Sequence, residues 1–247
     1  MNLTTNTILV TGGGSGIGLA LAKRFAIRGN RVIICGRRAE ALAGAKREMP
    51  PLDALQGDVS TEAGRIALAD EARTRFPKLN VLVNNAGIQQ RPAPLLQPQD
   101  WAAHRLEMAT NLEAPLHLTM LLLPHLAKAA HGAVVNVTSG LAFAPLAAMP
   151  TYCLTKAALH SFTLSLRHQL KDTKLDVVEI VPPAVNTDLG GPGLHTFGVN
   201  VDAFADSIFA GLEKGETEIG YETSEVRRLA SRKELDEYFA QMNAPRG

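Results

Sequence analysis

Two side chains capable of proton transfer, Tyr152 and Lys156, stand four residues apart in a segment predicted to be helical. Side chains at this spacing lie on one face of a helix, one turn from each other. A phenol has an ordinary pKa of about 10, which is too high for a base at neutral pH, but a nearby ammonium stabilises the phenolate. The pair therefore predicts acid–base chemistry in which Tyr152 exchanges a proton with a substrate oxygen.

Ser139 strengthens this interpretation, because it ends the fifth predicted strand, 13 residues before Tyr152. The carboxyl ends of parallel strands face the ligand crevice of an open α/β sheet, so the two hydroxyls are predicted to converge. A tyrosine and a lysine at this spacing occur by chance in many helices, and the added serine is what favours a catalytic site. A simple strand-end cap is the alternative for Ser139.

A glycine-rich run at residues 11–18 lies between the first predicted strand and the first predicted helix. Glycines let the backbone approach a pyrophosphate, which binds the free N–H groups at the helix N-terminus. A plain turn needs only one or two glycines, whereas this run has five. The residues predicted to bind a dinucleotide here are Gly12, Gly14, Ser15, Gly16, Ile17 and Gly18.

Arg37 and Arg38 follow the second predicted strand, where a site that prefers NAD usually carries an acidic residue for the ribose hydroxyl. The first carboxylate in this stretch is Glu40. A guanidinium fork suits a phosphate, and cations at a helix N-terminus oppose the helix dipole unless an anion binds there. The sequence therefore predicts NADP rather than NAD as the cofactor, with solvated arginines as the alternative.

Short apolar segments alternate with longer helical ones along most of the chain. Strands that are apolar throughout are buried on both faces, and the repeated strand–helix–strand order predicts a parallel sheet with helices on both sides. The predicted strands cover 7–10, 31–35, 52–56, 81–83, 133–137 and 175–181, with 218–219 starting a last one. The predicted helices cover 16–28, 39–49, 60–76, 100–128, 151–170, 201–214 and 224–242, and Pro115 and Pro124 are expected to bend the fourth.

No repeat, linker or change of composition divides the chain, so residues 1–247 are predicted to form a single doubly wound α/β domain. The formal net charge of +1 gives no electrostatic reason to expect nucleic acid or an anionic membrane as a partner. The arginines at 227, 228 and 232 alternate with acidic residues and are predicted to form a solvated helix face.

Cys35 and Cys153 lie in apolar runs and are predicted to be reduced core thiols, which fits a cytoplasmic location. Residues 1–7 lack the charged segment of a signal peptide, and the apolar run 116–130 is too short and too polar to span a membrane. The seven histidines show no metal-ligand spacing, so no metal is predicted.

The Thr-Gly-x-x-x-Gly-x-Gly run at 11–18, together with Ser139, Tyr152 and Lys156, resembles the short-chain dehydrogenase/reductase family over residues 6–190. Residues 6–90 also resemble its DltE-type subgroup, through the runs Val-Ile-Ile-Cys-Gly-Arg and Asn-Asn-Ala-Gly-Ile-Gln. The resemblance implies a Rossmann-like fold that transfers a hydride between nicotinamide and a carbonyl or alcohol carbon. The small-molecule substrate itself is left open.

The resemblance also implies roles for individual residues. Tyr152 would be the acid/base, Lys156 would lower its pKa and hold the nicotinamide ribose, and Ser139 would orient the substrate oxygen. Asn111 would anchor a water linking Lys156 to solvent, with a satisfied buried amide as the alternative. The further implied cofactor contacts are Asp58 and Val59 at the adenine, Asn85, Ala86 and Gly87 at the ribose, and Pro182, Val185 and Thr187 at the carboxamide. Pro183 replaces the glycine that is commoner in that last turn.

The substrate pocket is predicted to have apolar walls, one anion contact at Arg91 and a mobile loop over about 188–200 that includes His195. Its predicted walls are 89–91, 140–142, Met149 and 190–198. Helices 100–128 and 151–171 carry more apolar surface than one sheet face needs, and because such helices pair between subunits in the family, the resemblance implies a homodimer or homotetramer. A non-catalytic NAD(P)-binding regulatory protein is the main alternative function; a sugar-nucleotide epimerase would need an extra substrate domain.

Overall fold

The structure is a computed structural model that describes residues 1–244, so the last three residues of the predicted 1–247 unit lie outside the described residues. Its sheet has seven parallel strands in the order β3-β2-β1-β4-β5-β6-β7. The strands are β1 (Thr7–Thr11), β2 (Arg31–Gly36), β3 (Asp53–Gln56), β4 (Val81–Asn84), β5 (Gly132–Val137), β6 (Leu175–Val181) and β7 (Glu218–Gly220). This order places the ligand crevice where the chain reverses direction across the sheet, between β1 and β4.

Helices cover both faces of the sheet, as the sequence predicts. They are α1 (Gly16–Ile27), α2 (Ala39–Glu48), α3 (Glu62–Arg75), α4 (Trp101–Met108), α5 (Ala114–Leu126), α6 (Pro150–Gln169), α7 (Val201–Glu213), α8 (Thr223–Leu229) and α9 (Arg232–Met242). Helices α1, α2 and α7 pack on one face, and α3, α5 and α6 pack on the other. The doubly wound, Rossmann-like α/β fold is therefore confirmed.

Each central strand contributes to two separate apolar clusters, which explains why its sequence is apolar without alternation. In β1, Ile8 and Val10 face the cluster beneath α1 and α7, whereas Leu9 faces the cluster beneath α3 and α5. All three side chains are fully buried. Because successive strand residues point to opposite faces, only a sheet covered on both sides buries all of them.

Three predicted helices differ from the structure, and capping side chains explain two of the differences. The predicted helix 224–242 is wrong, because the chain forms α8 and α9 with a break at 230–231. Ser231 precedes α9 and forms a capping box with Glu234. The Ser231 hydroxyl accepts from the backbone N–H of Glu234, and the Glu234 carboxylate accepts from the backbone N–H of Ser231. The predicted helix 60–76 begins later than expected, at Glu62, because Thr61 is its cap and accepts from Gly64 at 3.0 Å.

The long predicted helix 100–128 is interrupted by a π-helical segment, Ala109–Glu113, that joins α4 to α5. Pro115 lies in the first turn of α5, directly after this segment, and Pro124 lies within α5. A π segment changes the hydrogen-bond register by one residue, and such segments are frequent at functional sites. Within residues 1–244, none of the helices combines the length and apolar character needed to cross a membrane.

Candidate active site

A crevice of about 1050 Å³ opens at the carboxyl ends of the strands. Its walls come from the loops after β1, β2, β4, β5 and β6 and from the start of α6. Every residue that the sequence predicts to contact the cofactor lines this crevice: Gly12, Gly14, Ser15, Gly16, Ile17, Gly18, Arg37, Arg38, Asp58, Val59, Asn85, Ala86, Gly87, Tyr152, Lys156, Pro182, Val185 and Thr187. Their roles toward a cofactor stay predictions.

The glycine-rich loop turns sharply between β1 and α1. Gly12 and Gly16 have φ angles of +66° and +54°, in the left-handed region that favours glycine. A β-carbon on Gly12 would lie 2.9 Å from both the Asn85 amide and the backbone of Ala86. The Asn85 side chain donates to the carbonyl oxygen of Thr11 at 2.9 Å. The loop is therefore held against the end of β4, and the N–H of Gly13 donates to the carbonyl oxygen of Cys35 in β2 at 3.1 Å.

Arg37 and Arg38 stand exposed at the crevice, just after β2. Among the ion pairs of residues 1–244, neither arginine takes part. One Arg38 nitrogen lies 3.5 Å from the hydroxyl of Ser15, in the glycine loop. Two unpaired guanidinium groups beside a glycine loop fit a phosphate, and they fit a ribose hydroxyl poorly.

Tyr152 and Ser139 meet in the crevice, as the sequence predicts. The Tyr152 side chain is buried and lies near the Ser139 side chain, whose hydroxyl accepts from the backbone N–H of Leu141 at 3.1 Å. Burial raises the pKa of Tyr152 well above its ordinary value, and the nearby Ser139 hydroxyl opposes only part of that effect by favouring the phenolate. The protein's own groups therefore shift this pKa in the direction opposite to the sequence prediction, because desolvation disfavours the phenolate.

Lys156 lies one helical turn from Tyr152, with its ammonium 5.7 Å from the centre of the phenol ring. The ammonium donates to the carbonyl oxygen of Val137 at 2.9 Å, so it is directed to the end of β5. Burial lowers the pKa of Lys156 to about 8, and the negative charge of Glu107 opposes this shift. A fully buried lysine is rare in proteins and here it lines the crevice.

Asn111 lies in the π-helical segment and is almost fully buried. Its side chain accepts from the backbone N–H of Ile88 and donates to the Ile88 carbonyl, both at 2.8 Å, and it also reaches Thr155 at 3.4 Å. Unlike the other three predicted catalytic residues, it does not line the crevice. These contacts agree with the alternative of a satisfied amide that fixes the loop after β4.

Glu107 is a buried carboxyl group that sequence reasoning missed. It is 1% exposed and accepts from the backbone N–H of Gln90 at 2.8 Å. Its negative charge is close enough to Lys156 to offset part of the lowering of that lysine's pKa. Burial in turn raises the pKa of Glu107. Its neighbours in sequence give no signal, because a glutamate within a mixed helix is usually solvated.

Two predictions about the substrate end are wrong. Arg227, expected on a solvated helix face, is half-buried and lines the crevice, because α8 turns it inward. Ala142, expected as a wall, faces a separate cavity beside Phe239. Of the remaining predicted walls, 89–91, Gly140, Leu141, Met149 and 190–192 line the crevice, as do His195 and Phe197, whereas Gly193, Leu194, Thr196 and Gly198 do not. The motion expected for the 188–200 loop stays a prediction.

A cluster of His160, Glu179 and Glu218 lies outside the crevice, with ligand atoms within 4.8 Å of one another. Glu179 is fully buried and accepts from the Thr138 hydroxyl at 2.7 Å and from His160 at 2.9 Å. Glu218 is ion-paired with Arg167 and Arg228. The carboxylates of this cluster therefore already have partners within the protein. Thr138, the residue before Ser139, connects the cluster to the crevice.

Comparisons with known proteins agree with this fold. The short chain dehydrogenase family matches residues 6–194 of the chain. The uncharacterized oxidoreductase DltE of Bacillus subtilis (strain 168) is 46% identical, with 98% of each chain covered. Serine 3-dehydrogenase of Agrobacterium fabrum is 35% identical, covering 84% of this chain and 82% of that one. A short chain dehydrogenase from Burkholderia cenocepacia in complex with NADP superposes with a TM-score of 0.84 at 25% identity, covering 99% and 100% of the two chains.

The chain therefore belongs to the short-chain dehydrogenase/reductase family, which confirms the resemblance seen in the glycine loop and in the Tyr-x-x-x-Lys pair. The similarity to DltE extends over nearly the whole chain. The protein is an NAD(P)-dependent oxidoreductase of that family.

Proposed function

We propose that this protein is an NADP-dependent oxidoreductase that transfers a hydride between nicotinamide and a carbonyl or alcohol carbon, with Tyr152 as the general acid/base. The observation that carries the proposal is that Tyr152, Ser139 and Lys156 line the same crevice as the glycine loop. A proton donor and a dinucleotide cradle in one cavity are what hydride transfer to a carbonyl requires.

The residues of the crevice fit a bound dinucleotide phosphate. The glycine loop offers backbone N–H groups at the start of α1, and Arg37 and Arg38 offer two unpaired cations. NADPH bound there would supply the hydride. The complex of the Burkholderia cenocepacia relative with NADP is consistent with this choice.

The raised pKa of Tyr152 supports a specific direction of proton transfer. A protonated phenol can donate to the oxygen of a carbonyl as hydride arrives at carbon, and burial keeps the phenol protonated. The Ser139 hydroxyl lines the same crevice near this phenol and can hold the substrate oxygen beside it. Proton donation in carbonyl reduction therefore needs no prior ionisation of Tyr152, whereas alcohol oxidation does.

We also propose that the protein forms a homodimer or homotetramer through α4, α5 and α6. Large apolar side chains are exposed along these helices: Trp101 (64%), Leu106 (39%), Met120 (62%), Leu154 (53%) and Leu164 (44%). Scattered exposed apolar residues are normal, but five on adjoining helices favour an interface between copies.

The test of the catalytic proposal is to titrate NADPH and NADH by fluorescence and then to screen aldehydes, ketones and alcohols by nicotinamide absorbance. Tyr152→Phe is expected to lower kcat by about 10²–10⁴-fold, the usual contribution of an acid–base group, while the NADPH dissociation constant stays unchanged. Tyr221→Phe is the matched control, because Tyr221 lies outside the crevice. Turnover that survives Tyr152→Phe would refute the role, and cofactor binding without turnover of any compound would favour the regulatory alternative.

A further inference from the structure

Arg227 lies in α8, which is fixed against the catalytic end of the sheet by Ser224. The Ser224 side chain is fully buried, and its hydroxyl donates to the carbonyl oxygen of Val181, the last residue of β6, at 2.5 Å. Residues three apart share one face of a helix, so Arg227 points the same way as Ser224. A β-carbon on Gly140, the residue after Ser139, would lie 3.6 Å from a terminal nitrogen of Arg227. The guanidinium therefore lies beside the Ser139 turn.

The charge of Arg227 is unpartnered in the part of the chain that the structure describes. Its neighbour Arg228 is ion-paired with both Glu218 and Glu225, but no ion pair within 1–244 involves Arg227. Burial lowers the pKa of the Arg227 guanidinium, and within the described residues the phenol of Tyr238 opposes this effect. Burying a cation without an anion is unfavourable, so this position is better suited to a state in which an anion binds.

The phosphates of the dinucleotide are expected elsewhere. Arg37 and Arg38 follow β2, whereas α8 is attached to the end of β6, four strands away in the sheet order. Neighbouring strands are about 4.8 Å apart, so the two groups of arginines are separated by roughly 19 Å across the sheet. Arg227 is thus placed at the substrate end of the crevice, next to Ser139.

The same crevice holds polar atoms that also have no partner among residues 1–244. Nδ1 of His195 and Oε1 of Gln89 have no hydrogen bond within the described residues. Both residues are more than nine-tenths buried, so water does not freely replace the missing partners. Both residues line the crevice, and Gly190 lies against Gln89. Arg91, the anion contact expected from the sequence, is exposed, and its charge lowers the pKa of His195. A neutral imidazole and an amide can bind polar groups of a substrate without competing for its charge.

We propose that Arg227 binds a carboxylate of the substrate, so that the enzyme acts on oxo acids or hydroxy acids whose reacting carbon lies at Tyr152. The inference rests on the proposed function and assigns its substrate class. A guanidinium binds a carboxylate through two parallel hydrogen bonds, which orients the substrate as well as attracting it. The unpaired charge, its place beside Ser139 and the unpartnered polar atoms in the same crevice are the three observations that support it.

The test uses the full chain with NADPH and a panel of short 2-, 3- and 4-oxo acids, each paired with its primary amide. The wild-type protein is expected to prefer at least one acid over its amide by tenfold or more in kcat/KM. Arg227→Met is expected to lower kcat/KM for that acid by about 10–150-fold, the usual range for a hydrogen bond to a charged group, mainly through KM. The amide is expected to change by less than threefold, and Arg227→Lys is expected to restore part of the loss.

Arg232→Met is the matched control, because the Arg232 side chain is 87% exposed on the neighbouring helix α9. Equal losses for acid and amide, or no acid preferred by the wild-type protein, would overturn the inference. The inference would also be overturned if no acid of the panel is turned over, or if no acid raises the melting temperature of the protein more than its amide does. Arg227→Lys keeps the charge if Arg227→Met does not fold. Tight NADPH binding and Tyr152-dependent reduction of neutral ketones would leave the proposed function intact, so the two failures are distinguishable.

Discussion

Lys156 carries an ammonium group into the interior, and this burial makes a strong prediction about stability. The side chain is 4% exposed, and burial lowers its pKa from 10.5 to about 8. One pKa unit corresponds to about 1.4 kcal/mol, so the shift represents roughly 3 kcal/mol of unfavourable free energy at pH 7. Replacing the lysine with methionine, a side chain of similar length, removes that charge from the core.

The gain is reduced by what the substitution leaves behind. The carbonyl of Val137 loses a donor at 2.9 Å, which costs about 1 kcal/mol, and the buried Glu107 loses a nearby cation. We therefore expect Lys156→Met to stabilise the protein without cofactor by about 1–2 kcal/mol at pH 7, while turnover is lost. The more stable protein would be the inactive one, because an active site tolerates unfavourable burial for its chemistry.

The pH dependence gives the sharper test. The folded-state pKa of Lys156 is depressed, so between about pH 8 and 10.5 the unfolded chain binds more protons, and the stability contributed by this group rises with pH. The difference in unfolding free energy between Lys156→Met and the wild-type protein is therefore expected to shrink as pH rises from 7 to 10. Chemical denaturation followed by fluorescence or circular dichroism at several pH values measures it.

The matched control is Lys171→Met, which makes the same substitution at an exposed position just after α6. That variant is expected to show neither the stabilisation nor the pH dependence. The reasoning would be refuted by a Lys156→Met protein that is less stable than wild type at pH 7, or by a difference that grows with pH.

Two further predictions concern the cofactor and the assembly. Arg37→Ala and Arg38→Ala are each expected to weaken NADPH binding by about 10–150-fold through loss of a charged hydrogen bond and to leave NADH unchanged, as fluorescence titration would show. Arg47→Ala, at the exposed far end of α2, is the control, and an equal effect on both cofactors would contradict a phosphate contact. Size-exclusion chromatography with light scattering is expected to give a dimer or tetramer, and a monomer would exclude the α4–α6 interface.

Much of the fold follows from local patterns that one sequence displays. The fully apolar strands, the glycine run after β1 and the alternation of strands with helices each have a short-range physical cause. The main errors in helix boundaries came where side-chain caps compete with helix continuation. Ser231 and Glu234 form such a cap, and their spacing of three residues was a signal that could have divided the predicted helix 224–242.

The candidate site was predictable in its residue types but not in its electrostatics. Tyr152, Ser139 and the glycine loop meet because β1, β5 and α6 bring their ends to one edge of the sheet. In the protein's own environment burial raises the pKa of Tyr152, whereas the lowered pKa predicted from the sequence concerns the site with oxidised nicotinamide bound beside Lys156. Arg227 was misplaced because its charge pattern along the chain resembles that of a solvated helix.

The amino-acid sequence by itself determined the class of sheet, the phosphate loop and the proton-transfer pair, because these depend on neighbours within one turn or one strand. The tertiary structure decided which charges are buried and which have partners. Glu107 beside Lys156 and Arg227 beside Ser139 are brought together by helices that are distant along the chain. Desolvation and ion pairing depend on that three-dimensional packing, and they set the chemistry of the crevice.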